Sequence, residues 1–292
     1  MKLKIIAGLL ILFTASAATL SLGGIFQGNS GKAALIKLSG SITPDSSGFG
    51  SSGITPAEVR QLNQKVRNGD YDAVIYEINS GGGAVVASKE IKRSIESMDI
   101  PTVCRFRDIS ASGAYLISMG CDKIVADSAT ITGSVGVKSS YMQFSGAMDK
   151  LGIRYINITA GKYKEIGSSY SNASKEEKKM LKDMALNIQD EFINTVDRKR
   201  NLTPQEVSKI KTARIFLGKR AKKLGLVDRL GGRATAVNVA EGLSGKDLKL
   251  EEVQTSQNFS LLSLFLSKTG IGGFLESFGL DSGVKAPLAA RY

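Results

Sequence analysis

The chain has 292 residues, 39 Lys and Arg against 27 Asp and Glu, a net charge of +12 and no histidine. It is long enough to bury a sizeable core in one or two domains, and the missing imidazole excludes a Ser-His-Asp triad, a Cys-His pair and a His-ligated zinc. The basic residues are spread along helical stretches rather than gathered in one aromatic-interleaved run, so they read as a solvated surface suited to the neighbourhood of anionic lipid, with no nucleic-acid partner.

In chain order, Lys2 and Lys4 precede an uncharged run over residues 5–26. Such a run can cross a bilayer as a helix. The rival is a cleaved secretory signal, because Ala15-Ser16-Ala17 offers a small-x-small site. Either way the positive flank stays inside and the body is exported. The expected organisation is an anchor or signal at 1–27, a body at 28–235 and an extension at 236–292. Residues 33–38 read as the first strand, and 46–53 as a flexible Gly/Ser loop. Thr55-Pro-Ala-Glu58 is a capping box opening a helix with Val59, Leu62 and Val66 on one face. A strand over 72–78 runs into Asn79-Ser-Gly-Gly-Gly83. A helix through Ile91 and Ile95, a strand over 102–106, a helix after Ser112 and a strand over 123–126 follow. Strands alternating with helices at this spacing predict an α/β fold with a parallel sheet.

Beyond Thr132-Gly-Ser-Val-Gly-Val137 another β-α-β passage is expected, with 155–158 as its last strand and Gly161-Lys-Tyr-Lys-Glu165 as a loop. Ser174-Lys-Glu-Glu177 opens a long helix whose Leu181, Met184, Ile188, Phe192 and Val196 share a face. Thr203-Pro-Gln-Glu206 opens one more, and 214–228 closes the domain. The tail shows no periodicity. Its small-residue end, Ala286-Pro-Leu-Ala-Ala-Arg-Tyr292, reads either as a free terminus or as a groove-binding or self-trimmed segment. Cys104 and Cys121 sit in apolar contexts and read as small buried hydrophobes, their pairing with each other left open.

Ser112 falls at a strand-to-helix turn, where a hydroxyl meets unpaired backbone N–H groups. Alone it reads as a helix cap. Gly81, Gly82 and Gly83 end another strand, and in parallel α/β architecture ligands bind at such strand ends. The N–H groups of Gly82 and Gly113 would then make a two-donor oxyanion hole. Without histidine, a serine nucleophile needs another base, and lysine is the usual substitute. A lysine serves only where its surroundings favour the neutral amine.

The ordered motifs Asn79-Ser-Gly-Gly-Gly, Ala111-Ser-Gly-Ala-Tyr, Thr132-Gly-Ser-Val-Gly-Val, Gly161-Lys-Tyr-Lys and Gly225-Leu-Val-Asp resemble the bacterial and archaeal signal peptide peptidases of the Ser/Lys type, over residues 34–231 or so. The resemblance implies a Clp/crotonase-like fold with repeated ββα units and parallel sheets behind an N-terminal transmembrane segment. It also implies Ser112 as nucleophile, Lys164 as general base and Ser134 as the residue orienting that base. Ser110 and Lys162 are the neighbouring decoys. No cofactor or metal is called for. The implied partners are apolar peptides such as signal peptide remnants, the membrane, and further copies in a homo-oligomeric ring with active sites near protomer interfaces. The chain departs from the family with Gly81 in place of the usual Pro and Ala114 in place of the usual Gly. A related membrane protease cutting an apolar partner protein, a non-catalytic peptide-binding scaffold and an acyl-CoA enzyme of the wider fold are the competing readings.

Overall fold

Apolar side chains alternate along the strands, so that Ala34, Ile36 and Leu38 enter one core while Ala33 and Leu35 enter a second on the opposite face. That period-two pattern, buried on both sides, is the signature of a parallel sheet covered by helices. The computed structural model describes residues 30–45 and 53–254; the uncharged run at 5–26 and the tail from 255 lie outside the described residues. Among the described residues no helix is long and apolar enough to cross a membrane.

The strands are β1 (Ser30–Ser39), β2 (Ala73–Ser80), β3 (Thr102–Ala111), β4 (Lys123–Ala126), β5 (Ile131–Gly133), β6 (Ile215–Leu217), β7 (Arg229–Leu230) and β8 (Asp247–Glu252). They form one sheet in the order β6-β5-β3-β2-β1-β8, with β4 beside β3 and β7 beside β4. Only the β5–β6 pairing among them is antiparallel. The helices are α1 (Pro56–Asn68), α2 (Val85–Glu96), α3 (Gly113–Ser118), α4 (Ser145–Lys150), α5 (Lys175–Arg200), α6 (Pro204–Lys211), α7 (Gly218–Lys223) and α8 (Arg233–Ser244). The Ser174 and Thr203 capping boxes are complete, whereas Thr55 supplies only its half, accepting the Glu58 N–H at 3.1 Å.

Strand β3 positions the site. Its Val103–Phe106 half pairs with β4 and its Ile109–Ala111 end pairs with β5. It therefore runs past the expected end at Phe106 and delivers Ser112 between the ends of β2 and β5.

Three expectations are corrected. Strand β8 pairs in parallel with β1, and α8 packs Ala236 and Ala240 into the second core, so the folded body continues past residue 235. Residues 155–158 form no strand, because nothing among the described residues pairs with them; Ile156 is 81% and Ile158 95% exposed. Cys104 and Cys121 are buried but joined in a disulfide, with Cα atoms 5.8 Å apart. It fastens the middle of β3 to the chain just after α3. Closing a loop of this size removes unfolded-state entropy worth about 3 kcal/mol.

The second core carries one buried charge. Glu77 is 2% exposed and takes two hydrogen bonds from Arg233, at 3.0 and 2.9 Å, with Arg105 at 3.3 Å. Burial pushes its carboxyl upward, but the hydrogen bonds and charge of Arg233, with Arg105 and Arg107, outweigh this and hold it below the usual range. A carboxylate held below its unfolded value of 4.5 gives stability that is complete above that value and lost as pH falls through the folded one. The urea midpoint of wild type is therefore expected to drop on going from pH 6 to about pH 3 more steeply than that of Glu77→Gln, which at neutral pH costs about 1–3 kcal/mol. Parallel pH profiles would show that Glu77 contributes nothing to acid sensitivity.

Candidate active site

Strand β3 ends at Ala111 and α3 begins at Gly113, leaving Ser112 in the turn with φ 54° and ψ −125°. A residue with a side chain adopts positive φ only at a cost, and such strain concentrates at functional sites. The backbone is clamped on both sides. Ser112 N–H donates to the Gly133 carbonyl and its own carbonyl accepts from Leu116 N–H, each at 2.9 Å. The hydroxyl makes no capping hydrogen bond, so the reading of Ser112 as a helix cap does not hold.

Ser134 follows the end of β5 as Ser112 follows the end of β3, and Ala111 pairs with Gly133. It too has φ 54°, and its N–H donates to the Arg214 carbonyl at 3.0 Å. The fold thus sets Ser112 and Ser134 side by side, each in a strained turn.

On the other side of β3, the glycine run after β2 folds over Ser112. Gly82 has φ 104°, and a Cβ there would stand 2.9 Å from Ser112 Cβ and 2.8 Å from Gly113 N, so only glycine fits. Its N–H, expected to face the reacting atoms, donates instead to Ser80 Oγ at 3.1 Å. Gly83 is pressed against Ile42, which donates to the Gly82 carbonyl at 3.1 Å and accepts from Ala84 N–H at 2.9 Å. In such a parallel bridge the Gly83 N–H points the opposite way. The Gly83 nitrogen lies next to Gly113, whose Cβ position would stand 3.2 Å from it. Among the described residues no hydrogen bond engages the amides of Gly83 or Gly113. The open pair beside Ser112 is therefore Gly83 with Gly113.

A small cleft of about 30 Å³ adjoins these groups, walled by Val85, Leu116, Val137, Ile188 and Phe192. That is room for little more than one or two waters, about 10–15 Å³ each on this measure, and suits a small apolar side chain. Lys89 lines its edge and is ion-paired with Glu191. Gln189 Nε2 donates to the Val135 carbonyl at 3.1 Å and the Lys211 carbonyl at 3.0 Å, tying α5 to the segment after Ser134. No sequence signal pointed to Gln189, which belongs to no motif and lies off the predicted apolar face.

Lys164 lies apart from this cleft, on the exposed Gly161–Gly167 turn, and no hydrogen bond joins it to Ser112 or Ser134 among the described residues. Lys162 is held by Glu176 at 2.6 Å, and that hydrogen bond, with a further one to Tyr163, raises its pKa. Ser110 is fully buried. Other motif residues prove structural. Asn79 Oδ1 accepts from Ile109 N–H at 3.2 Å, Tyr115 hydroxyl donates to the Leu226 carbonyl at 2.9 Å, and Asp228 takes a two-pronged bond from Arg200 at 2.9 and 3.0 Å.

The model of peptidase family S49 matches residues 95–247. A relative from Methanocaldococcus jannaschii, named as a protease, is 35% identical over 209 residues, covering 70% of this chain and 67% of its own. An Enterococcus faecium relative named as signal peptide peptidase SppA is 37% identical over 161 residues, covering 54% of this chain and 47% of its own. Among solved structures, a Listeria monocytogenes ClpP1 mutant matches 69% of this chain and 93% of its own at 13% identity, with a TM-score of 0.46.

Proposed function

We propose that this chain, which belongs to peptidase family S49, is a membrane-anchored serine endopeptidase that hydrolyses apolar segments such as signal peptide remnants with a Ser112–Lys164 dyad. The observation that carries the reading is the strained Ser112 turn, whose uncapped hydroxyl stands beside the open amides of Gly83 and Gly113 at an apolar cleft. In the proposed reaction neutral Lys164 takes the Ser112 proton as Oγ attacks the peptide carbonyl. The Gly83 and Gly113 N–H groups hold the oxyanion, the amine leaves with the proton from Lys164, and water hydrolyses the acyl-enzyme. Lys162 suits the role of base less well, because its pairing with Glu176 favours the protonated form.

In a single chain Lys164 is exposed, which favours a site completed by a neighbouring copy in a ring. The stretch from 151 to 167 that carries it, an arm with exposed apolar residues, supports this, since Leu151 is 74% exposed alongside Ile156 and Ile158. Surface of that kind gains most by burial against another protomer. The disulfide suits an exported body in an oxidising compartment. The narrow cleft suits small residues at the bond to be cut.

A phosphonylating serine probe tests the reading. Intact-mass and peptide mapping of the full chain are expected to locate one adduct on Ser112, absent from Ser112→Ala, together with cleavage of apolar small-residue peptides. A folded wild type that neither cleaves nor takes up the probe would overturn it.

A further inference from the structure

Ser80 is 2% exposed at the end of β2, and its Oγ accepts the Gly82 N–H at 3.1 Å. The run it controls has no side chains of its own. Gly81 has room for a side chain, its Cβ position meeting only Ile109 Cδ1 at an ordinary contact of 3.8 Å. Gly82 occupies positive φ, and Gly83 is fixed by the Ile42 bridge. Beyond the end of β2, the loop is thus secured at its far end by Ile42, and its Gly82 N–H is held by one hydroxyl. Glycine runs lose the most conformational freedom on ordering, so the loss of a single tether is felt directly in the loop. The same bond turns Gly82 N–H away from the cleft, while the Ile42 N–H bonded to the Gly82 carbonyl turns Gly83 N–H, across the same peptide unit, away from Ile42.

We propose that Ser80 is a positioning residue, whose buried hydroxyl pins Gly82 N–H and thereby steadies the adjoining peptide unit, so that the Gly83 N–H oriented by the Ile42 bridge stays aimed at the oxyanion. The inference rests on the peptidase reading. Ser110 provides the control. It is the register partner of Ser80 on β3 and equally buried, but its Oγ has no hydrogen-bond partner among the described residues and so holds no described part of the loop. Gly81 provides the rescue. Its φ lies outside the left-handed region, its N–H engages nothing among the described residues, and the preceding Ser80 is extended, as a residue before proline prefers. A proline there stiffens the loop without the hydroxyl.

The test uses the full chain with an apolar small-residue peptide substrate. Ser80→Ala is expected to lower kcat about 10- to 100-fold with KM within about twofold, the pattern of a contact made in the transition state. Ser110→Ala is expected to stay within about twofold of wild type. Ser80→Ala/Gly81→Pro is expected to recover most of the lost kcat. In parallel, hydrogen exchange resolved at Gly82 is expected to speed up about tenfold or more in Ser80→Ala and not in Ser110→Ala. Unchanged Gly82 exchange, unchanged kcat, or an equal loss in Ser110→Ala would each overturn the role of Ser80. A wild type that hydrolyses nothing while Gly82 exchange still responds to Ser80→Ala would overturn the peptidase reading instead.

Discussion

Ser112→Ala is expected to lower kcat by about 10⁴-fold or more at nearly unchanged thermal stability, and Ser112→Gly to be as inactive but more stable than wild type. The first half follows from the chemistry, since among the described residues the neighbouring hydroxyls are engaged or placed elsewhere: Ser88 Oγ donates to the Ala84 carbonyl, Ser110 is buried and Ser134 sits at the end of the next strand. The second half follows from the backbone. At φ 54° and ψ −125° a side-chain-bearing residue stores about 1–3 kcal/mol of strain, which Ala retains and Gly releases. Against that gain, glycine adds about 0.5–1 kcal/mol of unfolded-state freedom. The net is a stabilisation of roughly 1 kcal/mol, read as a melting point about 2–4 °C above that of Ser112→Ala. Thermal unfolding of the two variants beside wild type checks this. A glycine variant less stable than the alanine one would mean that the turn stores no strain, and that the hydroxyl is held out for some reason other than catalysis.

Much of the frame was legible because it rests on local signals. The apolar runs that became β1 to β4, and the Ser174 and Thr203 boxes, are short-range patterns that tertiary contacts merely keep. The position of Ser112 was legible for the same reason, as a strand-turn-helix passage with glycine next to the serine. What the sequence hid were choices made by distant partners. Gly82 and Gly83 are indistinguishable in a glycine run; Ile42, far upstream, decides which amide faces the cleft. Cys104 and Cys121 show only apolar surroundings, and their meeting depends on how the chain turns after α3. Strand β8 has weak alternation, and its pairing is supplied by β1 from the other end of the body. Residues 155–158 have the composition of a strand, yet among the described residues no strand pairs with them.

That unpaired stretch bears on the second large effect. Ser112→Ala and Lys164→Ala are each expected to be inactive as pure assemblies, yet to recover activity when co-assembled in equal amounts. If each site takes Ser112 from one copy and Lys164 from the next around a closed head-to-tail ring, it works only when an intact serine meets an intact lysine. Random mixing brings them together in about one quarter of the sites, so activity near a quarter of wild type is expected. The geometry favours this arrangement over a site within one chain. Lys164 sits on an exposed turn, on the arm that displays Leu151, Ile156 and Ile158 to solvent. Folding that arm back over its own Ser112 would have to bury those side chains against the same chain, where nothing is paired with them. Docking it on a neighbour would bury them and carry Lys164 into the next cleft in one step. Each subunit is first refolded alone and then mixed, and hydrolysis of the small-residue peptide is followed over the exchange time. No recovery, in mixtures shown by mass to contain both variants in one particle, would mean that Lys164 serves the serine of its own chain.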